Sequence, residues 1–153
     1  MELFPKKCTD ESAREFLLRA DAGKLFPGSR DPNAALSGLF LYFSCLKESH
    51  DLLHTFGGAD GAYWHGIMHR MEGDSFNANY WFQRLPGHPV YPLLHRKAAD
   101  LGYAQGREWD PFAFVAYCNQ PPDKDLAKRV QLAEWQLLFD YCAAPVRIGM
   151  ATR

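Results

Sequence analysis

The sequence predicts an all-α single domain over residues 1–153, a bundle of about six or seven helices. Apolar residues recur at three- and four-residue spacing along most of the chain, and the segments they define open at Asp or Thr and close at Gly or Pro. Alternating apolar runs flanked by hairpin turns, the mark of strands, are missing. A chain of 153 residues can bury roughly 70% of its unfolded surface in one core without disulfides or metal staples.

Each element follows from local chemistry. Thr9 or Asp10 caps a first helix reaching to about residue 21, with Ala13, Phe16, Leu17 and Ala20 on one stripe and Gly23 as its stop. Residues 25–28 read as a turn with apolar anchors. Asp31-Pro32 opens a long second helix to about residue 55: the carboxylate accepts from amides that the first turn leaves unpaired, and proline stands where no N–H is needed. Its inner face carries Leu36, Leu39, Phe40, Phe43 and Leu46, and His50 and His54 continue that face. Residues 56–61 are glycine-rich and Asp60 is the expected cap of a third helix over about residues 61–71. A connection of about six residues joins antiparallel helices, so the third folds back on the second.

Gly73 ends that helix and Asp74, with Asn77 completing the cap, starts a fourth whose apolar side is Ala78, Trp81, Phe82 and Leu85 until Pro86-Gly87. Residues 88–92 read as an extended linker, 93–101 as a short helix closed by Gly102, and 102–109 as loop. Asp110-Pro111 opens a short buried helix with Phe112, Phe114, Val115, Tyr117 and Cys118, and Pro121-Pro122 breaks it. Asp123 starts the last helix, where Leu126, Val130, Ala133, Leu137 and Tyr141 form one seam and Leu132, Trp135 and Phe139 another, so most of its circumference is covered. The expected core is Leu39, Phe43, Leu46, Ile67, Trp81, Val130 and Leu137.

Composition excludes several classes. With 17 basic and 18 acidic residues and no basic run longer than Lys6-Lys7, Arg96-Lys97 or Lys128-Arg129, the electrostatic footprint of a nucleic-acid binder is absent. The four cysteines, Cys8, Cys45, Cys118 and Cys142, are far apart in sequence and read as reduced thiols of a cytoplasmic protein. The N-terminus lacks the apolar segment of a signal peptide, and the longest apolar stretch, 39–43, is far short of a membrane span. A soluble, unexported chain with neither membrane nor nucleic acid as partner is the expectation.

Residues 62–84, Ala62-Tyr-Trp-His-Gly-Ile-Met-His-Arg-Met-Glu-Gly-Asp-Ser-Phe-Asn-Ala-Asn-Tyr-Trp-Phe-Gln-Arg84, concentrate Trp, His, Arg, Glu72 and Asp74 as no ordinary core or surface helix requires. On a helical projection Trp64, Ile67, Met68 and Met71 share an apolar stripe, and His65, His69 and Glu72 an adjacent polar one. This run from Tyr63 to Arg84, followed by Gly87-His88-Pro89 and preceded by Glu48-Ser49-His50, resembles an uncharacterised family of small microbial proteins. The resemblance implies a site and supplies no chemistry.

His65 and His69 have the i, i+4 spacing that lets two imidazoles address one metal from one helix face. Gly66 stands where an H-E-x-x-H metalloprotease carries its general base, so that mechanism is not supported. His50, on the facing helix, is the natural third donor, giving a candidate set of His50, His65 and His69 for a divalent transition metal, with Glu48 or Glu72 beside it and one coordination position open. His54, one turn from the glycine loop, fits a helix C-terminal cap as well as a ligand. The competing reading makes every histidine a structural residue bonded to carbonyls or carboxylates.

Arg70 and Arg84 suit a carboxylate or phosphate, and equally a local pair with Glu48, Glu72 or Asp74. Trp64 and Tyr80, like Tyr63 and Trp81, serve as pocket walls or as core, and His88 closes over the site from its linker or lies exposed. Two function classes follow. One is a metal-dependent enzyme or small-molecule binder using a cleft lined by His, Glu and Arg, with His50, His65, His69 and Glu72 as catalytic candidates; the other is a non-catalytic helical interaction module.

Overall fold

Aspartates set the frame. Six helices begin at an Asp whose carboxylate accepts a hydrogen bond from a first-turn amide: Asp10 from Ala13, Asp21 from Lys24, Asp31 from Ala34, Asp74 from Asn77, Asp110 from Phe112 and Ala113, and Asp123 from Leu126. Each such cap is worth about 1 kcal/mol against alanine. The computed structural model describes residues 1–146, and among these it contains nine helices: α1 (Glu11–Arg19), α2 (Ala22–Leu25), α3 (Pro32–Tyr42), α4 (Leu46–Leu53), α5 (Ala59–Glu72), α6 (Ser75–Gln83), α7 (Val90–Leu101), α8 (Pro111–Asn119) and α9 (Lys124–Ala143). The all-α class is as the periodicities predict. An isolated bridge between Ser29 and Pro145 is the extended pairing among the described residues.

The two additional helices have local causes. Asp21 restarts the chain after α1, so Gly23 lies inside α2 instead of ending α1. The long second helix expected from the apolar spacing is in fact two. Ser44 adopts a left-handed conformation (φ 61°), the Cys45 amide bonds back to the Phe40 carbonyl at 2.8 Å, and α4 starts on a new axis. The apolar spacing happens to continue through the break, which is why periodicity alone does not reveal it.

The N-terminal segment clamps this junction: the Thr9 amide donates to the Phe43 carbonyl at 2.8 Å, Arg14 pairs with Glu48 at 2.6 Å, and Cys8 is joined to Cys45 by a disulfide, their Cα atoms 4.5 Å apart. The expectation of four reduced thiols is therefore corrected for Cys8 and Cys45, which the α3–α4 break brings together across 37 positions; Cys118 and Cys142 are free and buried.

Two more expectations change. Asp60 does not cap α5; it lies in the first turn and its carboxylate holds His88 instead, while Gly58 occupies the cap position. Residues 88–92 are not a linker throughout, because α7 begins at Val90 and takes Pro92 into its first turn, where an N–H would have no helical partner.

Helix α5 sits at the centre, packed on α6, α4 and α3, while α9 packs on α7, α3 and α8. Every residue from Tyr63 to Met71 is buried. Of the expected core, Ile67 and Val130 are fully buried, whereas Leu39, Phe43, Leu46, Trp81 and Leu137 are half-buried around it. A smaller cluster of Leu17, Ala22, Leu36, Phe40 and Cys45 forms where α1 and α2 meet α3; within the predicted α1 stripe Phe16 faces solvent. No helix among the described residues is long and apolar enough to cross a membrane.

Close packing explains the glycine at position 66. A Cβ built there lies 2.6 Å from the Phe82 ring, and one at Gly38 lies 2.6 Å from the Trp64 indole. Gly66→Ala is expected to destabilise by about 1–3 kcal/mol despite alanine's better helix propensity, because a buried ring must move. Gly57→Ala, with open space around it, should be near neutral in the same urea titration. For the disulfide, thiol titration of the denatured, unreduced protein should count two free cysteines, not four, and reduction should lower stability by about 2–4 kcal/mol, as for any loop of this size.

Candidate metal centre

The break at Ser44 decides where the histidines go. As a separate helix, α4 lies against α5 with its own short apolar side, including the buried Leu53, and Ser49 anchors it to α3 by donating to the Ser37 carbonyl at 3.1 Å. The last turn and a half of α4 then presents His50 and His54 to the α5 face that carries His65 and His69.

Four imidazoles converge there. From His50, ring centroids lie 4.3 Å away at His54, 5.6 Å at His65 and 5.2 Å at His69; His54 and His65 are 5.4 Å apart. The Nε2 atoms of His50 and His54 are 2.9 Å apart, so the two nitrogens share either one proton or one cation. Donor atoms of His50, His54 and His65 all lie within 4.8 Å of one another. His69 is turned aside: its Nδ1 is 3.0 Å from Glu72 Oε2, and with Glu72 and Asp74 it forms a second, adjacent group of donors.

Two of the four rings are held below the ordinary histidine range. Burial, reinforced by the neighbouring His50, His69 and His54, pushes His65 down to about 4, with the Gly61 carbonyl acting in the opposite direction. Burial likewise lowers His50, helped by His54 and His69 and opposed by Glu72 and Asp51. At neutral pH these rings are uncharged and keep lone pairs to donate.

His65 carries the most informative arrangement. Its Nε2 is buried without a hydrogen-bond partner among the described residues. Its ring stacks on Trp81 at 3.9 Å and 6°, which fixes the plane. His88 shows the alternative. There Nε2 is 2.8 Å from Asp60, Nδ1 accepts from the Val90 amide at 3.1 Å, and the ring is packed by Tyr63 and Tyr141: a structural histidine with both nitrogens satisfied, remote from the cluster.

The other residues singled out in the sequence fall in three places. Arg70 is fully buried, paired with Glu134 of α9, 3.3 Å from Gln131 and 4.6 Å above the Phe114 ring, while Tyr63 donates to the same Glu134 at 3.1 Å. Trp64 is core, against Gly38. Tyr80 is exposed on α6 beneath the Arg84 guanidinium, 3.9 Å from its ring centroid, with Trp81 6.0 Å from that guanidinium. Arg70, Trp64 and His88 are therefore not brought to the imidazoles, and Arg84 and Tyr80 approach them only through Trp81.

Glu48 is turned to Arg14 and lies 3.8 Å from Cys8 Sγ. A surface cavity of about 400 Å³ borders the cluster, lined by His50 and Glu72 together with Glu48, Lys6, Lys7 and Lys47. Sequence spacing underrated His54 and did not show that Trp81 would stack on His65; the i, i+4 relation of His50 and His54 was the available signal for the first.

Comparison with known proteins finds no family model, no curated relative and no solved structure that matches this chain. The chemistry of the site rests on its own geometry.

The buried ion pair yields a prediction distinct from the histidines. Arg70→Met leaves the Glu134 carboxyl without its guanidinium partner in the core and is expected to cost about 3–5 kcal/mol in urea unfolding. Arg84→Met, removing an exposed stacking partner, should stay within about 1 kcal/mol of the parent.

Proposed function

We propose that this protein binds a divalent transition-metal ion through His50, His54 and His65, and that the centre serves a metal-dependent enzyme or a binder of small anionic molecules. The observation that carries the reading is the convergence of three imidazoles, with donor atoms within 4.8 Å of one another and the buried His65 Nε2 unpartnered. An all-imidazole set suits zinc, nickel, copper or iron far better than magnesium or calcium. Compared with the set His50, His65 and His69 expected from spacing, His54 takes the third place, and His69, held by Glu72, stands beside it as a further donor.

Three protein ligands leave a coordination position for water or a substrate oxygen. A transition ion held by these three residues would supply Lewis-acid chemistry toward water and toward carbonyl or phosphoryl oxygens. Around it, Trp81 holds the His65 ring and Glu72 offers a half-exposed carboxylate as proton acceptor. Lys6 and Lys7 line the adjoining cavity and favour a ligand carrying negative charge.

Elemental analysis of protein purified without an affinity tag should find about one transition ion per chain, and zinc titration of the stripped protein should saturate at that ratio. His50→Ala and His65→Ala should each weaken zinc by more than about 100-fold, beyond what loss of an outer-sphere contact costs. His88→Gln should leave the affinity unchanged. Substoichiometric metal, or equal zinc affinity in the His65→Ala protein, removes the reading.

A further inference from the structure

A second cavity, of about 1210 Å³, lies on a different part of the surface, between the start of α7 and the 106–112 segment that leads into α8. It is slightly larger than the usual range for small-molecule sites, roughly 300–1,000 Å³. Tyr91, Trp109 and Phe112 supply aromatic lining, and Phe112 is among the exposed large apolar side chains. Arg96 and Arg107 also line it, both exposed, and neither is in an ion pair with another described residue. The two acids there are Glu108 and Asp110, the latter bonded to the first-turn amides of α8, and His95 lies beside the two guanidinium groups.

Two polar atoms mark this cavity as more than a crevice. Trp109 is 94% buried by its 6% exposure, lines the cavity, and its indole N–H has no acceptor. The Tyr91 hydroxyl is likewise buried and unpartnered. Buried donors in native proteins are nearly always satisfied, so these two mark incompletely satisfied polar groups in residues that line the cavity. We propose that this cavity is a binding site, independent of the histidine centre, for a small amphipathic anion: a flat apolar body with one carboxylate, sulfonate or phosphate. The body stacks among Tyr91, Trp109 and Phe112, and the anionic group meets Arg96 and Arg107. Planar guanidinium groups stack on aromatic ligands and bind such anions in bidentate fashion, so the same two arginines serve both parts of the molecule.

The test uses 8-anilinonaphthalene-1-sulfonate as the probe on the intact chain, with nitrogen-labelled protein observed by NMR. The four tryptophans give four indole N–H signals, and Trp109→Phe identifies which belongs to Trp109. The expected result is saturable one-to-one binding that moves the Trp109 indole signal and the amides of residues 91–96 and 107–112, and that weakens at least about tenfold in Arg96→Gln/Arg107→Gln. Both arginines are exposed, so that variant stays folded even if Trp109→Phe does not. N-phenyl-1-naphthylamine, the uncharged counterpart, should bind at least about tenfold more weakly. Shifts centred on the exposed Phe16 and Leu18 of α1 instead, an unmoved Trp109 indole, or equal affinity in the double-arginine variant would each overturn the proposal.

Discussion

Helix α5 has no solvent face between Tyr63 and Met71, and most of this molecule follows from that constraint. A helix surrounded by others is ordinarily apolar all round, yet this one carries His65, His69 and Arg70 in its buried span. Each polar side chain therefore requires a partner supplied by another element. Arg70 is met by Glu134 and Gln131 of α9, with Tyr63 donating to the same carboxylate. Because a lone buried charge is so costly, this network holds α5 and α9 in a single register whatever its net contribution to stability. The same tightness brings neighbouring rings against Gly38 and Gly66, where any side chain would collide.

The histidines are the part of α5 that the core does not resolve. His69 finds Glu72 one turn on, but His65 is left with an unpartnered nitrogen among other imidazoles. The buried His88, by contrast, has both nitrogens bonded. The contrast between these two residues, within one protein, separates a histidine that fills space from one that can donate to a ligand.

Helix α4 completes the cluster, and its position is a property of the junction before it. The left-handed Ser44, the Cys8–Cys45 disulfide and the Arg14–Glu48 pair hold the start of α4, so the N-terminal segment supports the histidines without contributing a donor. At a separate region of the surface, the α7–α8 cavity presents different chemistry, aromatic faces and guanidinium groups in place of imidazoles.

Much of this was legible in the sequence, because helix starts and stops are local events. Asp10, Asp31, Asp74, Asp110 and Asp123 announce their helices through carboxylates that reach amides three residues away, and Gly73 and Gly102 end theirs in left-handed conformations that glycine adopts freely. The pairing of the His50 and His65 helices was also readable, since a short glycine-rich connection returns the chain on itself. What spacing could not reveal depends on contacts between residues far apart in the chain. Ser44 is an ordinary residue whose left-handed turn is held by residues 8–14; Arg70 is a surface-type side chain until Glu134, 64 positions later, faces it. His54 is the C-cap residue of α4, as its place before the glycine loop suggests, but only the packed structure shows its Nε2 meeting that of His50. Local hydrogen bonding decides where helices begin and end; only their packing decides which side chains share a site.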